Sequence, residues 1–478
     1  MSVPLVPLLI DGDYCAGSTG VTVPVVNPAT EEVIADLAHA SVTDLDRALA
    51  ASARAFVDWR ETTAAHRNAI LVKAAYLIRE RTEEIAEILT AENGKSLTEA
   101  RGEVGFCADA TDWYAEEAKR AYGRVIPARA SDVRQITLRE PVGVALGFAA
   151  WNFPAGNVAL KMAAALAAGC TIIVKPSDET PATAIAIGRC FTDAGLPAGA
   201  LNIVHGVPTE VSKYLIASPI PKKVSLTGST PVGKLLQRLA SETMKRCTME
   251  LGGHAPVLVF ADTDIPNAVA RLVSAKFRNA GQVCTSPTRF FIAREVYEDF
   301  VAAFITRAKQ VRVGNGAEEG AQMGPMITAR RRDTIDALVK DAVAKGADLR
   351  LGGHAIAGKG YFYAPTVLAD VPDNARLMTE EPFGPIAAFT PFDSFDEVIG
   401  RANALPYGLA AYVFSQNPGT IARAGSALDA GVVGVNHTSV HEAETPFGGV
   451  NESGYGAESG IEGLDAYLRT KMLTEKYL

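Results

Sequence analysis

Short apolar runs alternate with helical segments from residue 142 onward, and this alternation limits the chain to few folds. The runs VGVALGFAA, TIIVKP, ALNIVHG and KKVSLTG are separated by the helical patterns NVALKMAAALAAG and TPATAIAIGRCFTDAG and by a segment near 208–217. Runs that are apolar throughout predict strands buried on both faces. Such strands join through right-handed helical crossovers. We therefore predict an α/β protein with a doubly wound parallel sheet, which binds ligands beyond the carboxyl ends of its strands.

The rest of the chain predicts two further units. A second α/β stretch extends from CTMELGG at residue 247 to GVVGVN near residue 436. The segment 122–141 predicts two β-runs around a turn, of the kind that often makes a subunit contact. The Gly-rich tail 444–478 suits a loop over a site followed by a closing strand. The predicted division is a dinucleotide-binding domain of residues 1–121 and 140–248, a catalytic α/β domain of residues 249–436, and a small β oligomerisation and site-closing element of residues 122–139 and 437–478.

The composition argues against several classes of protein. The formal net charge of −8, with both signs interspersed, disfavours nucleic acid and anionic membranes as partners. The run 141–160 is uncharged and long enough to span a bilayer, but Pro141, Pro154 and its Asn and Gly residues predict a buried strand, a turn and a helix start instead. Six dispersed cysteines and an N-terminus without a signal-peptide pattern predict a cytoplasmic protein with free thiols, and the seven histidines show no metal-binding spacing.

The dinucleotide motif G-x-G-x-x-G is absent, so a cofactor site must be sought at other strand ends. Gly228 and Gly233 in LTGSTPVG frame a helix N-terminus that can face a pyrophosphate, although glycines there equally serve helix packing. Lys175 and Asp178 follow the run TIIV, where a lysine and a carboxylate can hydrogen-bond ribose hydroxyls and the carboxylate would repel a 2′-phosphate. A surface loop before a helix start is the equal alternative for this pair.

Two residues have side chains suited to catalysis. Cys284 lies in FRNAGQVCTSPTRF, between a small flexible run and two hydroxyl residues, but most lone cysteines pack as small apolar residues. Glu250 ends the apolar run in MELGGH and precedes two glycines. A carboxylate in this position can act as a general base, or it can be a solvated loop residue.

Seven motifs in a fixed order resemble those of the aldehyde dehydrogenases. They are WNFP at 151–154, KPSDETP at 175–181, LTGSTPVG at 226–233, MELGGHAP at 249–256, FRNAGQVCTSPTRF at 277–290, EEPFGP at 380–385 and PFGGVNESGYG at 446–456. The resemblance covers nearly the whole chain and is greatest to the succinic semialdehyde and α-ketoglutaric semialdehyde dehydrogenase branch. It implies oxidation of an aldehyde to a carboxylic acid, with NAD as the expected cofactor and NADP as the alternative.

The resemblance also implies a role for each matching residue. Cys284 matches the nucleophile, Glu250 the general base and Asn152 the side-chain oxyanion donor. Lys161 matches a residue that supports the site, and Glu458 resembles a second carboxylate that relays protons. The implied cofactor positions are Trp151, Lys175, Gly228, Ser229, Glu381 and Phe383, and the strand-end argument adds Asp178 and Gly233.

The substrate side departs from the branch that the chain resembles. That branch has one arginine six residues before the nucleophile and a second in the helix after WNFP, because a guanidinium pairs bidentately with a carboxylate. Here Arg278 occupies the first position and Leu160 the second. We expect a dicarboxylic semialdehyde, succinic or α-ketoglutaric, held by Arg278 with help from His437 or His441, although a polar loop role is the simpler interpretation of both histidines. The alternative is a pocket for apolar or aromatic aldehydes.

Three other functions have to be weighed against the sequence. A coenzyme A-acylating semialdehyde dehydrogenase commonly lacks the base, so Glu250 argues against it. A hydrolase that uses Cys284 alone leaves the cofactor residues unexplained. A non-catalytic structural protein of this fold would be expected to lose Cys284, Glu250 or Asn152, and all three are present. The resemblance further implies a homodimer or a homotetramer.

Overall fold

The computed structural model describes residues 3–477. Its strands are β1 Leu5–Val6, β2 Leu8–Ile10, β3 Asp13–Cys15, β4 Thr22–Val26, β5 Val33–Ala38, β6 Arg124–Ile126, β7 Val133–Pro141, β8 Val144–Phe148, β9 Ile172–Lys175, β10 Leu201–Ile203, β11 Pro221–Thr227, β12 Arg246–Glu250, β13 Ala255–Val259, β14 Pro287–Ala293, β15 Asp348–Leu351, β16 Thr366–Ala369, β17 Ile386–Phe392, β18 Tyr407–Gly408, β19 Ala410–Phe414, β20 Val432–Val435, β21 Val450–Asn451, β22 Gly454–Tyr455 and β23 Leu468–Lys476.

The helices begin and end at residues that favour those positions. Ser96 and Glu99 form a capping box at the start of α4, and the helix before it ends at Gly94, which adopts a left-handed conformation with φ 89°. The α-helices are α1 Val42–Trp59, α2 Ala64–Glu80, α3 Thr82–Asn93, α4 Leu97–Glu117, α5 Pro154–Ala168, α6 Pro181–Asp193, α7 Pro208–Ala217, α8 Thr230–Ser241, α9 Ile265–Phe277, α10 Tyr297–Ala308, α11 Ala329–Ala344, α12 Phe395–Ala402, α13 Pro418–Ala427 and α14 Gly460–Asp465, with 3₁₀ turns at Ala118–Arg120, Arg278–Gly281, Arg294–Val296 and Arg376–Met378.

The first sheet has eight strands in the order β22-β12-β11-β8-β9-β10-β2-β3. Its five inner strands, β12 to β10, are parallel. This arrangement confirms the predicted α/β class with a parallel sheet. Lys175, Thr227 and Glu250 are the last residues of β9, β11 and β12, so these three side chains lie at one edge of the sheet.

The second sheet has seven strands in the order β15-β16-β17-β14-β13-β19-β20. All neighbouring pairs are parallel except β15 with β16. Its core contains stacked aromatic side chains, such as Phe290 and Phe389 with ring centroids 4.6 Å apart. Cys284 lies in the loop that leads into β14, the central strand of this sheet.

The two β-runs predicted within 122–141 are present as the hairpin of β6 and β7. The C-terminal strand β23 pairs with β7 in antiparallel register, from Leu468 opposite Pro141 to Lys476 opposite Val133. The domain boundaries and the role of this hairpin in a subunit contact remain predictions.

The N-terminal region contains strands that the sequence pattern does not reveal. Strands β1, β5 and β4 form a separate three-stranded sheet, and β2 and β3 extend the eight-stranded sheet in antiparallel orientation. Strands of two to six residues are too short to produce a clear period of two. Within residues 3–477, no helix is long and apolar enough to cross a membrane.

Candidate active site

The loop between α9 and β14 carries Cys284 in a backbone conformation that few sequences adopt. Asn279, Ala280 and Gly281 all have left-handed φ values, of 48°, 53° and 71°. Each non-glycine residue in this region costs about 1–3 kcal/mol, so neighbouring groups must hold the loop. Gly281 admits no side chain, because a Cβ there would lie 2.1 Å from the carbonyl oxygen of Gly384.

Asn279 anchors this loop to the turn that contains Asn152. The Nδ2 atom of Asn279 donates to the main-chain oxygen of Asn152 at 2.9 Å, and Lys95 Nζ donates to the same oxygen at 2.9 Å. Glu103 accepts from Lys95 at 2.5 Å and from two N–H groups at the start of α5. Buried bonds therefore fix the Cys284 loop and the Asn152 turn relative to each other.

A cavity of about 810 Å³ opens where these segments meet the strand ends of the first sheet. Twelve of the predicted site residues line it: Trp151, Asn152, Leu160, Gly228, Ser229, Glu250, Arg278, Cys284, Glu381, Phe383, His441 and Glu458. Lys161, Lys175, Asp178, Gly233 and His437 do not line it. The structure thus brings together the predicted nucleophile, base and oxyanion donor from three distant parts of the chain.

The Cys284 thiol lies in an environment that disfavours its charged form. Burial, together with the carboxylates of Glu381 and Glu250, raises the pKa of Cys284 to about 12, although Arg278 acts in the opposite direction. A thiol with this pKa is protonated at neutral pH. Its use as a nucleophile therefore requires a base or an added positive charge.

Glu250 is 3% exposed, and neither of its carboxylate oxygens has a hydrogen-bond partner within residues 3–477. Burial raises the pKa of Glu250 well above the usual carboxyl value, Glu458 adds to this effect, and Lys161 opposes it. An unpaired buried carboxylate is costly. A raised pKa also suits a general base that works near neutral pH.

Lys161 and Glu458 form a buried ion pair next to Glu250. Lys161 Nζ lies 2.5 Å from Glu458 Oε1 and donates to Thr227 Oγ1 at 2.6 Å. Ser225 Oγ donates to the same oxygen of Glu458 at 3.2 Å. Lys161 is therefore behind the cavity wall, where it holds Glu458 at the edge of the cavity.

The residues at the strand ends fit the adenosine and phosphate portions of a dinucleotide. Ser229 is the N-cap of α8 and lines the cavity, and its side chain makes no capping bond to the first N–H groups of the helix. Lys175 Nζ lies 2.7 Å from Asp178 Oδ1, so this pair is one polar unit at the end of β9. Gly233 serves packing, since a Cβ there would lie 2.4 Å from a methyl carbon of Leu251.

Glu381 and Phe383 border the cavity on the side of the MELGG segment. Glu381 Oε1 accepts from the N–H of Gly253 at 3.1 Å, and a Cβ on Gly252 would lie 2.6 Å from Glu381 Oε2. The glycine pair therefore forms a cradle for this carboxylate. Phe383 has φ 46°, and its ring meets the Trp151 ring edge-on at 5.5 Å. This arrangement fits the ribose and flat ring at the reactive end of NAD(P).

Arg278 and Leu160 form another part of the cavity wall. The Arg278 guanidinium carbon is 5.0 Å from the centroid of the Phe153 ring. Arg278 forms neither an ion pair nor a hydrogen bond with its side chain within the described residues, 3–477. Leu160 is 3% exposed and contributes an apolar surface. This wall therefore offers one uncompensated cation beside flat and apolar groups.

The two candidate histidines lie in different places. His441 stacks on Phe447 with ring centroids 4.0 Å apart and meets Phe106 at 5.0 Å. Burial lowers the pKa of His441 to about 3 and Arg278 contributes to this shift, so the ring is neutral and brings no positive charge to the cavity. His437 differs from the expectation: its Nδ1 lies 3.2 Å from Arg271 on the exposed surface, outside the cavity.

Several cavity residues were not anticipated from the sequence. Phe106 comes from α4, far from every motif, and no local pattern marks it. Asn157 is the first residue of the helical pattern NVALKMAAALAAG, where a polar residue in an otherwise apolar run was an available signal. Phe153 and Phe447 lie within the recognised motifs WNFP and PFGGVNESGYG.

Comparison with known proteins agrees with this geometry. The aldehyde dehydrogenase family model matches residues 14–473. The chain is 48% identical over 466 residues to a 4-(hydroxymethyl)benzenesulfonate dehydrogenase of Comamonas testosteroni, covering 98% of this chain and 97% of the relative. It is 41% identical over 462 residues to a 3-sulfolactaldehyde dehydrogenase of Pseudomonas putida, covering 97% and 95%.

A solved structure of an aldehyde-oxidising enzyme has the same fold as this chain. The succinate-semialdehyde dehydrogenase of Burkholderia pseudomallei superposes with a TM-score of 0.97 at 38% identity, covering 98% of each chain. The chain belongs to the aldehyde dehydrogenase family, and the family predicted from its motifs is confirmed. It is an NAD(P)-dependent oxidoreductase that acts on an aldehyde.

Proposed function

We propose that the enzyme oxidises aldehydes that carry a remote acid group, with a dicarboxylic semialdehyde, succinic or α-ketoglutaric, as its substrate and NAD as its preferred cofactor. The observation that carries this proposal is Arg278, whose guanidinium faces the cavity without an ion-pair partner among residues 3–477. A guanidinium presents a planar fork of donors that matches an oxyanion group. An acid group at the far end of the aldehyde would supply the missing counter-charge.

The residues near Cys284 divide the chemistry between them. The Cys284 sulfur, after losing its proton, attacks the carbonyl carbon and forms a thiohemiacetal whose oxyanion accepts a hydrogen bond from the Asn152 side chain. Loss of one such donor typically costs about 2.7–4 kcal/mol of barrier. When bound, NAD(P) supplies the acceptor for the hydride that leaves the former aldehyde carbon. A thioester to Cys284 is then left.

Glu250 acts in the second half of the reaction. Its unpaired carboxylate takes a proton from water, the hydroxide attacks the thioester carbon, and the C–S bond breaks to release the carboxylic acid and the Cys284 sulfur. The Lys161–Glu458 pair adjoins Glu250 and gives the accepted proton a polar route away from the cavity. Because Glu250 is present to activate water, transfer of the acyl group to coenzyme A is disfavoured.

A second candidate substrate is an aromatic aldehyde with an acid group on the ring. Leu160 occupies the place of a second arginine, and Phe106, Phe153 and Phe447 give the cavity flat apolar surfaces. The relative at 48% identity is named for a benzenesulfonate, which combines a ring with a remote acid group. Both candidates use Arg278 in the same way and differ in what lies between the aldehyde and the acid.

The test measures NADH and NADPH formation with pairs of aldehydes that differ only in the acid group. The pairs are succinic semialdehyde with butanal and 4-formylbenzenesulfonate with benzaldehyde, with α-ketoglutaric semialdehyde as a further substrate. We expect kcat/KM at least tenfold higher for the acid member, or about 1.4 kcal/mol. Equal values within each pair would refute the remote-acid proposal. The preferred pair decides between the aliphatic and aromatic candidates.

We further propose that the cytoplasmic enzyme is a homodimer or homotetramer joined through the sheet of β6, β7 and β23. Val125 and Met472 on this sheet are 78% and 61% exposed. Large exposed apolar side chains on a two-sided sheet are typical of a subunit contact. Light scattering of Met472→Lys, which places a charge there, is expected to show a smaller assembly than the parent protein.

A further inference from the structure

A second asparagine lies one helical turn beyond Asn152. Asn157 belongs to the first turns of α5, is half-buried and lines the cavity beside Asn152. Its Nδ2 atom donates to the main-chain oxygen of Ala150 at 3.2 Å and to the Oδ1 atom of Asn152 at 3.3 Å. Both hydrogens of this amide nitrogen therefore have acceptors.

The carbonyl of Ala150 determines which way the two amides point. A carbonyl oxygen can only accept, so the Asn157 atom that faces it must be the nitrogen. The same nitrogen faces Asn152, so the Asn152 atom that meets it must be the oxygen. The Nδ2 atom of Asn152 is then the end that remains available to the cavity.

The other contacts of Asn152 do not fix its side chain. Lys95 and Asn279 both donate to its main-chain oxygen. Within residues 3–477, the bond from Asn157 is the only hydrogen bond to the Asn152 side chain. Without it, a half-turn of the carboxamide would place an oxygen, which cannot donate, where the oxyanion forms.

We propose that Asn157 is a positioning residue that holds the Asn152 carboxamide with its N–H group toward the oxyanion. This inference rests on the proposed role of Asn152 as the oxyanion donor. Asn157 acts through Asn152 and need not touch the reacting atoms. Its removal is therefore expected to lower the rate of the steps that pass through an oxyanion, with little change in KM.

The test compares Asn157→Leu and Asn157→Asp, each alone and combined with Asn152→Ala. Leucine has nearly the shape of asparagine and removes the donor, whereas aspartate is an acceptor that draws the Asn152 N–H group away from the cavity. The readout is the rate constant of the NADH burst in stopped-flow, measured beside steady-state kcat and KM with the best substrate. Thermal unfolding of each variant checks that the fold is retained.

We expect the burst rate to fall about tenfold in Asn157→Leu. In Asn157→Asp it should fall about 10²–10³-fold, which is the loss expected for Asn152→Ala. KM should stay within twofold. In the Asn152→Ala background, both changes at residue 157 should alter the burst rate by less than twofold, because no amide remains to be oriented. If Asn157 had a general structural role, or if the aspartate charge acted directly, the loss of burst rate would persist in the Asn152→Ala background.

The outcomes separate this inference from the proposed function. A large loss in Asn152→Ala with less than twofold loss in both Asn157 variants would overturn the positioning role alone. Losses that multiply in the double variants would overturn it as well. An Asn152→Ala variant with an unchanged burst rate would refute the oxyanion role of Asn152 and, with it, the role of Asn157, while aldehyde oxidation itself would stand.

Discussion

If Arg278 binds the remote acid group as proposed, Arg278→Gln should remove the preference for acidic over neutral aldehydes. The Arg278 guanidinium has no ion-pair partner within residues 3–477, so an acid group bound there gains its hydrogen bonds without displacing an existing pair. The nearby cation Lys95 cannot replace it, because its ammonium is engaged by Glu103 at 2.5 Å and by the main chain of Asn152. Hydrogen bonds to charged groups contribute about 1.5–3 kcal/mol, which corresponds to a loss of roughly 10–150-fold in kcat/KM.

The assay measures kcat/KM of Arg278→Gln with succinic semialdehyde and with butanal under identical conditions. The loss is expected with the semialdehyde and not with butanal, since butanal has no acid group to pair. Arg271→Gln is the matched control, because it also removes one positive charge but lies on the surface beside His437. Equal losses with both aldehydes, or a comparable loss with the semialdehyde in Arg271→Gln, would refute the reasoning.

Four further predictions concern the reacting centre and the loop that carries Cys284. Cys284→Ala should abolish NADH formation, whereas Cys15→Ala, which changes a thiol outside the cavity, should retain it; spectrophotometry at 340 nm distinguishes them. Glu250→Gln should give one NADH per site and then stop, and since the base must be ionised, parent kcat should rise with pH through the raised pKa of Glu250. A carboxyl group whose pKa is raised by folding lowers the stability of the protein as pH rises above the unfolded-state pKa. Glu250→Gln should therefore gain stability over the parent as pH rises above that value, measured by urea unfolding. Gly281→Ala should yield little folded protein, judged by circular dichroism, because its Cβ would lie 2.1 Å from the Gly384 oxygen.

The parallel sheets were predictable because their strands are apolar throughout and are separated by helices of full length. The same reasoning places Lys175 and Glu250 at one edge, since both follow such runs and parallel strands end on the same side. The short N-terminal strands were not predictable, because β2 and β3 have three residues each and gain their order from pairing with β10 and with each other. Long-range pairing of this kind leaves no periodic trace in the sequence.

The site was predictable where a motif carries the chemistry and unpredictable where only packing places a residue. Cys284 and Asn152 lie in recognisable motifs, and the structure brings both to one cavity. His437 and His441 are four residues apart in one loop, yet one faces Arg271 at the surface and the other stacks on Phe447. The difference arises from the path of the loop, which spacing alone does not determine.

The surroundings of Cys284 explain why its thiol stays protonated. Burial raises its pKa most, Glu381 and Glu250 raise it in the same direction, and Arg278 is the positive group that opposes them. An acid group bound to Arg278 would neutralise the positive charge that lowers the pKa of Cys284, and the thiol would then be harder to ionise. The proton of Cys284 therefore has to leave with help from another source of positive charge or from a base.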